Sequence, residues 1–114
     1  MKVIVAGGRD FSDRELLYTS LDAFHKGTPI TEVVCGGARG ADELGRCWAD
    51  KNRITVTPMD AEWDKYGKTA GFIRNKQMGD YADYLIAFWN EKCIVSHIKQ
   101  STENYLAARL LFHI

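Results

Sequence analysis

Glu32-Val33-Val34-Cys35-Gly36-Gly37-Ala38-Arg39-Gly40-Ala41-Asp42 passes from a short β-branched run, through a glycine-rich turn, into a helix-forming segment. The same order stands at the start of the chain, where Lys2-Val3-Ile4-Val5-Ala6 leads into Gly7-Gly8-Arg9-Asp10. It returns in looser form where Ile54–Thr57 precedes the stretch from Gly67 to Asn75. If the runs are parallel strands, all three glycine-bearing segments emerge at one edge of one sheet. Seven of the ten glycines (7, 8, 36, 37, 40, 67 and 71) then crowd that edge. Glycine lets backbone amides come close to a ligand, and amides opening a helix attract anions. The pattern points to a phosphate-bearing ligand.

Working outward, strand and helix signals alternate. Ser12-Asp13-Arg14-Glu15 matches a capping box, with Ser12 as N-cap. The helix it opens sets Leu17, Leu21 and Phe24 on one face, and Gly27-Thr28-Pro29 stops it. Glu32–Cys35 is the second strand. The helix after Gly40 carries Leu44 and Trp48, with Ala41 and Gly45 small enough for close packing on a sheet, and Asn52 is its expected left-handed terminal residue. Ile54–Thr57 is strand three, ended by Pro58. A longer connection over 59–68 leads to a helix over 69–78, then strand four over Tyr84–Phe88. A helix over 94–104 and a last strand over 109–112 complete the expectation. Strict alternation implies right-handed crossovers and a five-stranded parallel sheet in a Rossmann-like three-layer sandwich, order 3-2-1-4-5.

The chain has 114 residues, enough for one domain over 1–114 with one core. Fifteen basic residues balance fifteen acidic ones, so the overall charge disfavours nucleic acid as partner. The first apolar run is too short for a signal peptide, and none approaches membrane-spanning length, so a cytoplasmic setting is expected. Cysteines 35, 47 and 93 lack metal-ligand spacing and do not cluster with His25, His97 or His113. Reduced thiols are expected, with no metal and no cofactor.

Arginines must supply most of the grip. A helix terminus contributes about 0.3–2 kcal/mol to an anion, whereas micromolar binding needs about 8 kcal/mol. Charge-assisted hydrogen bonds of roughly 1.5–3 kcal/mol each make up the difference. Arg9, Arg39 and Arg74 fall in the clustered segments. Asp10 and Asp42 are placed to accept from ribose hydroxyls or to orient those arginines, although Asp42 equally suits a first helical turn. Trp63 and Tyr66 either stack on a base or fold down as a lid. Asn75 either reads a base or phosphate oxygen or caps a helix.

Val5-Ala6-Gly7-Gly8-Arg9-Asp10-Phe11, Gly36-Gly37-Ala38-Arg39-Gly40-Ala41-Asp42, Trp48-Ala49, Ala61-Glu62-Trp63 and Tyr66-Gly67-Lys68-Thr69-Ala70-Gly71, with Arg74-Asn75, together resemble the YspA-like branch of the SLOG superfamily. That superfamily groups Rossmann-like domains related to DprA and to the Lonely-guy phosphoribohydrolases. The similarity runs over about residues 2–88. It implies binding of a nucleotide or nucleotide-derived molecule at the strand carboxyl edge, through Gly7, Gly8, Arg9, Asp10, Gly36, Gly37, Arg39, Gly40, Asp42, Arg74 and Asn75. Many such proteins come from bacteria and their phages, and several superfamily members are thought to sense or process nucleotide signals.

One segment departs from that pattern. After strand four the family usually shows Pro-Gly-Gly-x-Gly-Thr or a related loop, which in the phosphoribohydrolases holds phosphate and starts a helix bearing a catalytic acid. Here Trp89-Asn90-Glu91-Lys92-Cys93-Ile94-Val95-Ser96 has neither Gly-Gly nor Gly-Thr. The reading is therefore a binding module that senses or sequesters a nucleotide-derived ligand. A phosphoribohydrolase or N-glycosidase, with Glu91 as substitute acid, is the enzymatic alternative. Single-stranded DNA binding by analogy with the DprA branch is the third. Pairing of two copies through an edge strand such as 109–112 is also compatible with the sequence.

Overall fold

Five strands form one sheet in the order β3-β2-β1-β4-β5. They are β1 (Lys2–Gly7), β2 (Glu32–Cys35), β3 (Thr55–Pro58), β4 (Tyr84–Trp89) and β5 (Lys92–His97). The structure, a computed structural model, describes residues 1–8, 10–36, 40–59, 62–89 and 92–97. The helices are α1 (Arg14–Gly27), α2 (Ala41–Lys51), the single turn α3 (Trp63–Tyr66), continued by a 3-10 turn over Gly67–Thr69, and α4 (Ala70–Tyr81).

The strand side chains explain the layering. Alternate residues of a strand face opposite sides, and here both sides are apolar. Val3, Val5, Val33, Ile86 and Phe88 pack with Leu17, Leu21, Trp48 and Ala49 of α1 and α2. Ile4, Ala6, Val34, Leu85 and Ala87 pack with Met78 of α4 and Ala82 behind it. Strands buried on both faces are what an α/β sandwich requires. Gly45 lets α2 sit directly on Val5, whose Cγ1 would lie only 2.6 Å from an added Cβ.

Four strands are parallel, as the alternation predicts: β1 pairs β2 and β4, and β2 pairs β3. The fifth is not. β5 runs antiparallel to β4, with Trp89 opposite Lys92 and Tyr84 opposite His97. The sheet is thus mixed, and the helix expected to begin at 94 is replaced by strand as far as His97. Only two residues separate β4 from β5, whereas a parallel crossover needs a dozen or more. The expected strand over 109–112, the remainder of the helix expected over 94–104, and any pairing of copies through 109–112 lie outside the described residues.

Three local readings shift by a residue or so. Asp13, not Ser12, caps α1, its carboxylate accepting from Leu16 N at 3.0 Å. The left-handed residue after α2 is Arg53 (φ 57), while Asn52 stays at φ −95 and caps the Trp48 carbonyl through its side chain. β3 starts at Thr55 rather than Ile54. His25, which the sequence leaves without a role, accepts from Ile30 N at 2.8 Å and fixes the turn into β2.

Candidate functional site

Three glycine-bearing connections meet where β1, β2 and β3 end. β1 closes with Gly7, paired with Phe88 of β4. An added Cβ at Gly7 would overlap the Phe88 carbonyl oxygen and sit 2.6 Å from Ala41 Cβ. The first residue of α2 therefore reaches over the end of β1 only because position 7 lacks a side chain. Ala41 N in turn points at Gly8 O, 3.5 Å away. The first and second connections are in contact.

The second and third meet at Gly36. Its carbonyl accepts from Arg74 Nη1 at 2.6 Å, and its amide donates to Asp42 Oδ2 at 3.1 Å. Arg74 also donates through Nε to Asn75 Oδ1 at 2.8 Å. Asp42 and Asn75 are buried, 8% and 6% exposed, and are the two buried polar or charged side chains among the described residues. Each is satisfied by this arrangement rather than stranded in the core. An added Cβ on Gly36 would come within 2.7 Å of the Arg74 guanidinium. The cluster ties the end of β2, the first turn of α2 and the first half of α4 into one unit.

This geometry assigns structural work to residues whose types suggested ligand contact. Asp42 is a first-turn carboxylate, favourably placed against the helix dipole, and it holds the Gly36 amide. Asn75 orients Arg74. The Gly8 amide is likewise committed, donating to Phe88 O at 3.3 Å. An anion at this edge would therefore meet neither of those amides unoccupied.

Gly40 precedes α2 with φ 80, a left-handed conformation that favours glycine, and no side-chain cap follows it. Asp10 is exposed in the turn after β1. Arg9, Gly37 and Arg39 lie outside the described residues, as does the side chain of Trp63, whose backbone opens α3. Tyr66 is exposed, with Lys65 Nζ 5.1 Å from its ring centroid.

The connection after β4 differs in kind from the other three. Lys92–His97 is strand, so no helix opens there to turn amides toward a ligand. Cys93 Sγ is partly withdrawn from solvent, and burial pushes its thiol above the usual range despite a hydrogen bond with Ser20. It is not a group poised to act as a nucleophile.

At the opposite edge, Glu32 Oε2 accepts from Thr57 Oγ1 at 2.6 Å and from Tyr81 Oη. Lys2 Nζ lies 4.1 Å from the centre of the Tyr81 ring. Burial pushes the Glu32 carboxyl up, but the two hydrogen bonds and the Lys2 charge outweigh it and hold the group below its ordinary value. Sequence reading missed this cluster, because its members are scattered across β1, β2, β3 and α4.

Among the described residues, no helix is long and apolar enough to cross a membrane. Comparison with known proteins agrees with the motifs. The chain is similar to the Gene 61 protein of Mycobacterium phage D29, being 38% identical over 94 residues that cover 76% of this chain and 75% of that protein. No solved structure matches it. The model of the SLOG family described as YspA, cpYpsA-related matches residues 1–66, which include β1, β2, β3 and the first two glycine-bearing connections. With more than half its length matched, this chain belongs to the YspA, cpYpsA-related SLOG family.

Proposed function

We propose that the protein binds a nucleotide or nucleotide-derived, phosphate-bearing small molecule at the carboxyl edge of its sheet, and acts as a sensor or sequestering protein. The observation that carries this reading is the bracing of Gly36 from both sides by Asp42 and Arg74. That bracing ties the start of the 36–42 connection to α4, and in this reading the residues that follow contact the anion. In open α/β sheets ligands settle outside the strand carboxyl ends, and glycine-rich turns that open a helix suit phosphate. The first-line phosphate ligands in this reading are the amides of 37–40 with the guanidinium of Arg39, and Arg9 contributes from the neighbouring connection. Arg74 and Asp42 support the loop.

Binding without turnover is the better-supported form. In the phosphoribohydrolases that the sequence resembles, the segment after the fourth strand opens a helix bearing the catalytic acid. Here the corresponding segment enters β5. A thermal-shift and calorimetric panel of nucleoside monophosphates, cyclic nucleotides and ADP-ribose tests the proposal. At least one member should raise the melting temperature, and Arg39→Ala should abolish that rise while the unliganded variant still melts in a single cooperative transition. Silence across the whole panel overturns the reading.

A further inference from the structure

Beside the braced connections, between the turn after β1 and the outer face of α2, lies an open groove of about 600 Å³. That volume falls within the roughly 300–1,000 Å³ usual for small-molecule sites. Gly40 forms the end of the groove nearest the 36–42 connection. Its floor is half-buried and mostly apolar, made by Phe11, Leu44 and Cys47. Phe11 is held in place by Phe88, the ring centroids 5.5 Å apart. The rim is exposed and charged, with Asp10 and Glu43 outnumbering Arg14.

We propose that this groove receives the nucleoside half of the ligand, an inference that rests on phosphate being held by the adjoining 37–40 segment. The rim carries two carboxylates against one guanidinium, so it repels a second anionic group. Carboxylates accept hydrogen bonds and cannot donate them when ionised, so they suit the vicinal hydroxyls of a pentose. A floor with an aromatic ring and a branched aliphatic chain suits the face of a base. Phosphate at the glycine-rich end and sugar between Asp10 and Glu43 set the base over Phe11 and Leu44. A ligand consisting only of phosphate or pyrophosphate would leave the groove empty.

Cys47 provides the readout, because its thiol lines the floor. Purified full-length protein is treated with N-ethylmaleimide, and modification of Cys47 and Cys93 is followed by peptide mass spectrometry. AMP, cyclic AMP and ADP-ribose are the probes, and inorganic pyrophosphate is the control. A nucleotide that binds by calorimetry should slow modification of Cys47 several-fold and leave Cys93 unchanged, and pyrophosphate should protect neither. In parallel, Cys47→Tyr, which fills the groove, should weaken that nucleotide by at least about tenfold, equivalent to about 1.4 kcal/mol. Circular dichroism of the variant should match that of the parent. Calorimetric binding with Cys47 still freely modified, or with Cys47→Tyr binding as the parent does, overturns the groove assignment and leaves the phosphate reading standing. Absence of binding by every nucleotide overturns both.

Discussion

Arg74 Nη1 and the carbonyl oxygen of Gly36 lie 2.6 Å apart although 38 positions separate them in the chain. The bond joins α4 to the end of β2 across the rim where the glycine-bearing connections meet. Breaking it should loosen that rim before it disturbs the sheet. Because Arg74 is half-buried, Arg74→Ala should lower stability by about 1.5 kcal/mol, the lower end for a hydrogen bond to a charged group. Arg74→Lys should recover less than half of the loss, since an ammonium cannot reach Gly36 and Asn75 together with a planar fork. Urea denaturation of the three proteins measures this. An Ala variant as stable as the parent would show that the bond is incidental.

Glycines 45 and 79 both lie within helices, yet alanine should act in opposite senses at the two positions. Alanine is the better helix former by about 1 kcal/mol in either place. At Gly79 an added Cβ meets nothing within 4 Å, so Gly79→Ala should stabilise by about 0.5–1 kcal/mol. At Gly45 it meets Val5 Cγ1 at 2.6 Å and Val5 Cβ at 2.8 Å, in the centre of the core. Both contacts are with a β-branched side chain in the central strand, which has no room to turn away. Overpacking then exceeds the propensity gain, and Gly45→Ala should destabilise by about 1–3 kcal/mol. Thermal melts that move in the same direction for both variants would contradict this packing of α2.

Much of this was legible in the sequence because burial on both faces leaves an uninterrupted apolar signature. Glu32–Cys35 is strand at the residues expected, and β1 extends the expected run by one residue, to Gly7. The order of the four parallel strands, β3-β2-β1-β4, also agrees with alternation and crossover handedness. The strand over Lys92–His97 is not foreseen, because the rule of alternation places a helix there. Ile94 and Val95 form a β-branched pair that starts too soon after β4 for a helix to intervene, and that spacing is the available signal. At the candidate site, residue types and the shared edge were legible, but the division of labour was not. A carboxylate at a helix start and a guanidinium one turn along another helix look the same whether they grip a ligand or a backbone. The distances to Gly36 show the grip on the backbone, and a grip on a ligand by the same groups is a matter for binding measurements on their variants.

The Glu32 cluster makes stability depend on acid. Its folded-state carboxyl titrates below the ordinary 4.5, so its contribution is present above that pH and disappears as pH falls through the lower folded value. Glu32→Gln keeps an acceptor for Thr57 and Tyr81 but removes the charge they stabilise. At pH 7 the variant should be less stable by about 1 kcal/mol, the size expected for a partly exposed charged network. As pH falls through that lower folded value the two proteins should converge, because the parent carboxyl is then protonated too. Denaturation midpoints at pH 7, 4.5 and 3 measure the gap. A gap that stays constant across the series would remove the charge from the explanation.

Asp42 allows the bracing role and a ligand role to be separated in one residue. Its carboxylate is buried at the second position of α2 and accepts the Gly36 amide at 3.1 Å. Asp42→Ala leaves that amide without its acceptor, at about 1–3 kcal/mol, and removes a favourable charge at the helix start, at about 0.3–1 kcal/mol. Asp42→Asn can turn its side-chain oxygen to Gly36 and should lose only the smaller of the two. If Asp42 acts purely as a brace, nucleotide affinity should follow stability: Asn close to the parent, Ala well below it. If the carboxylate also accepts from a ligand hydroxyl, Asn should bind several-fold more weakly while unfolding at nearly the parent's urea concentration. Measuring affinity and unfolding on the same two variants decides between these, because loosening the loop moves both quantities and loss of a ligand contact moves only one.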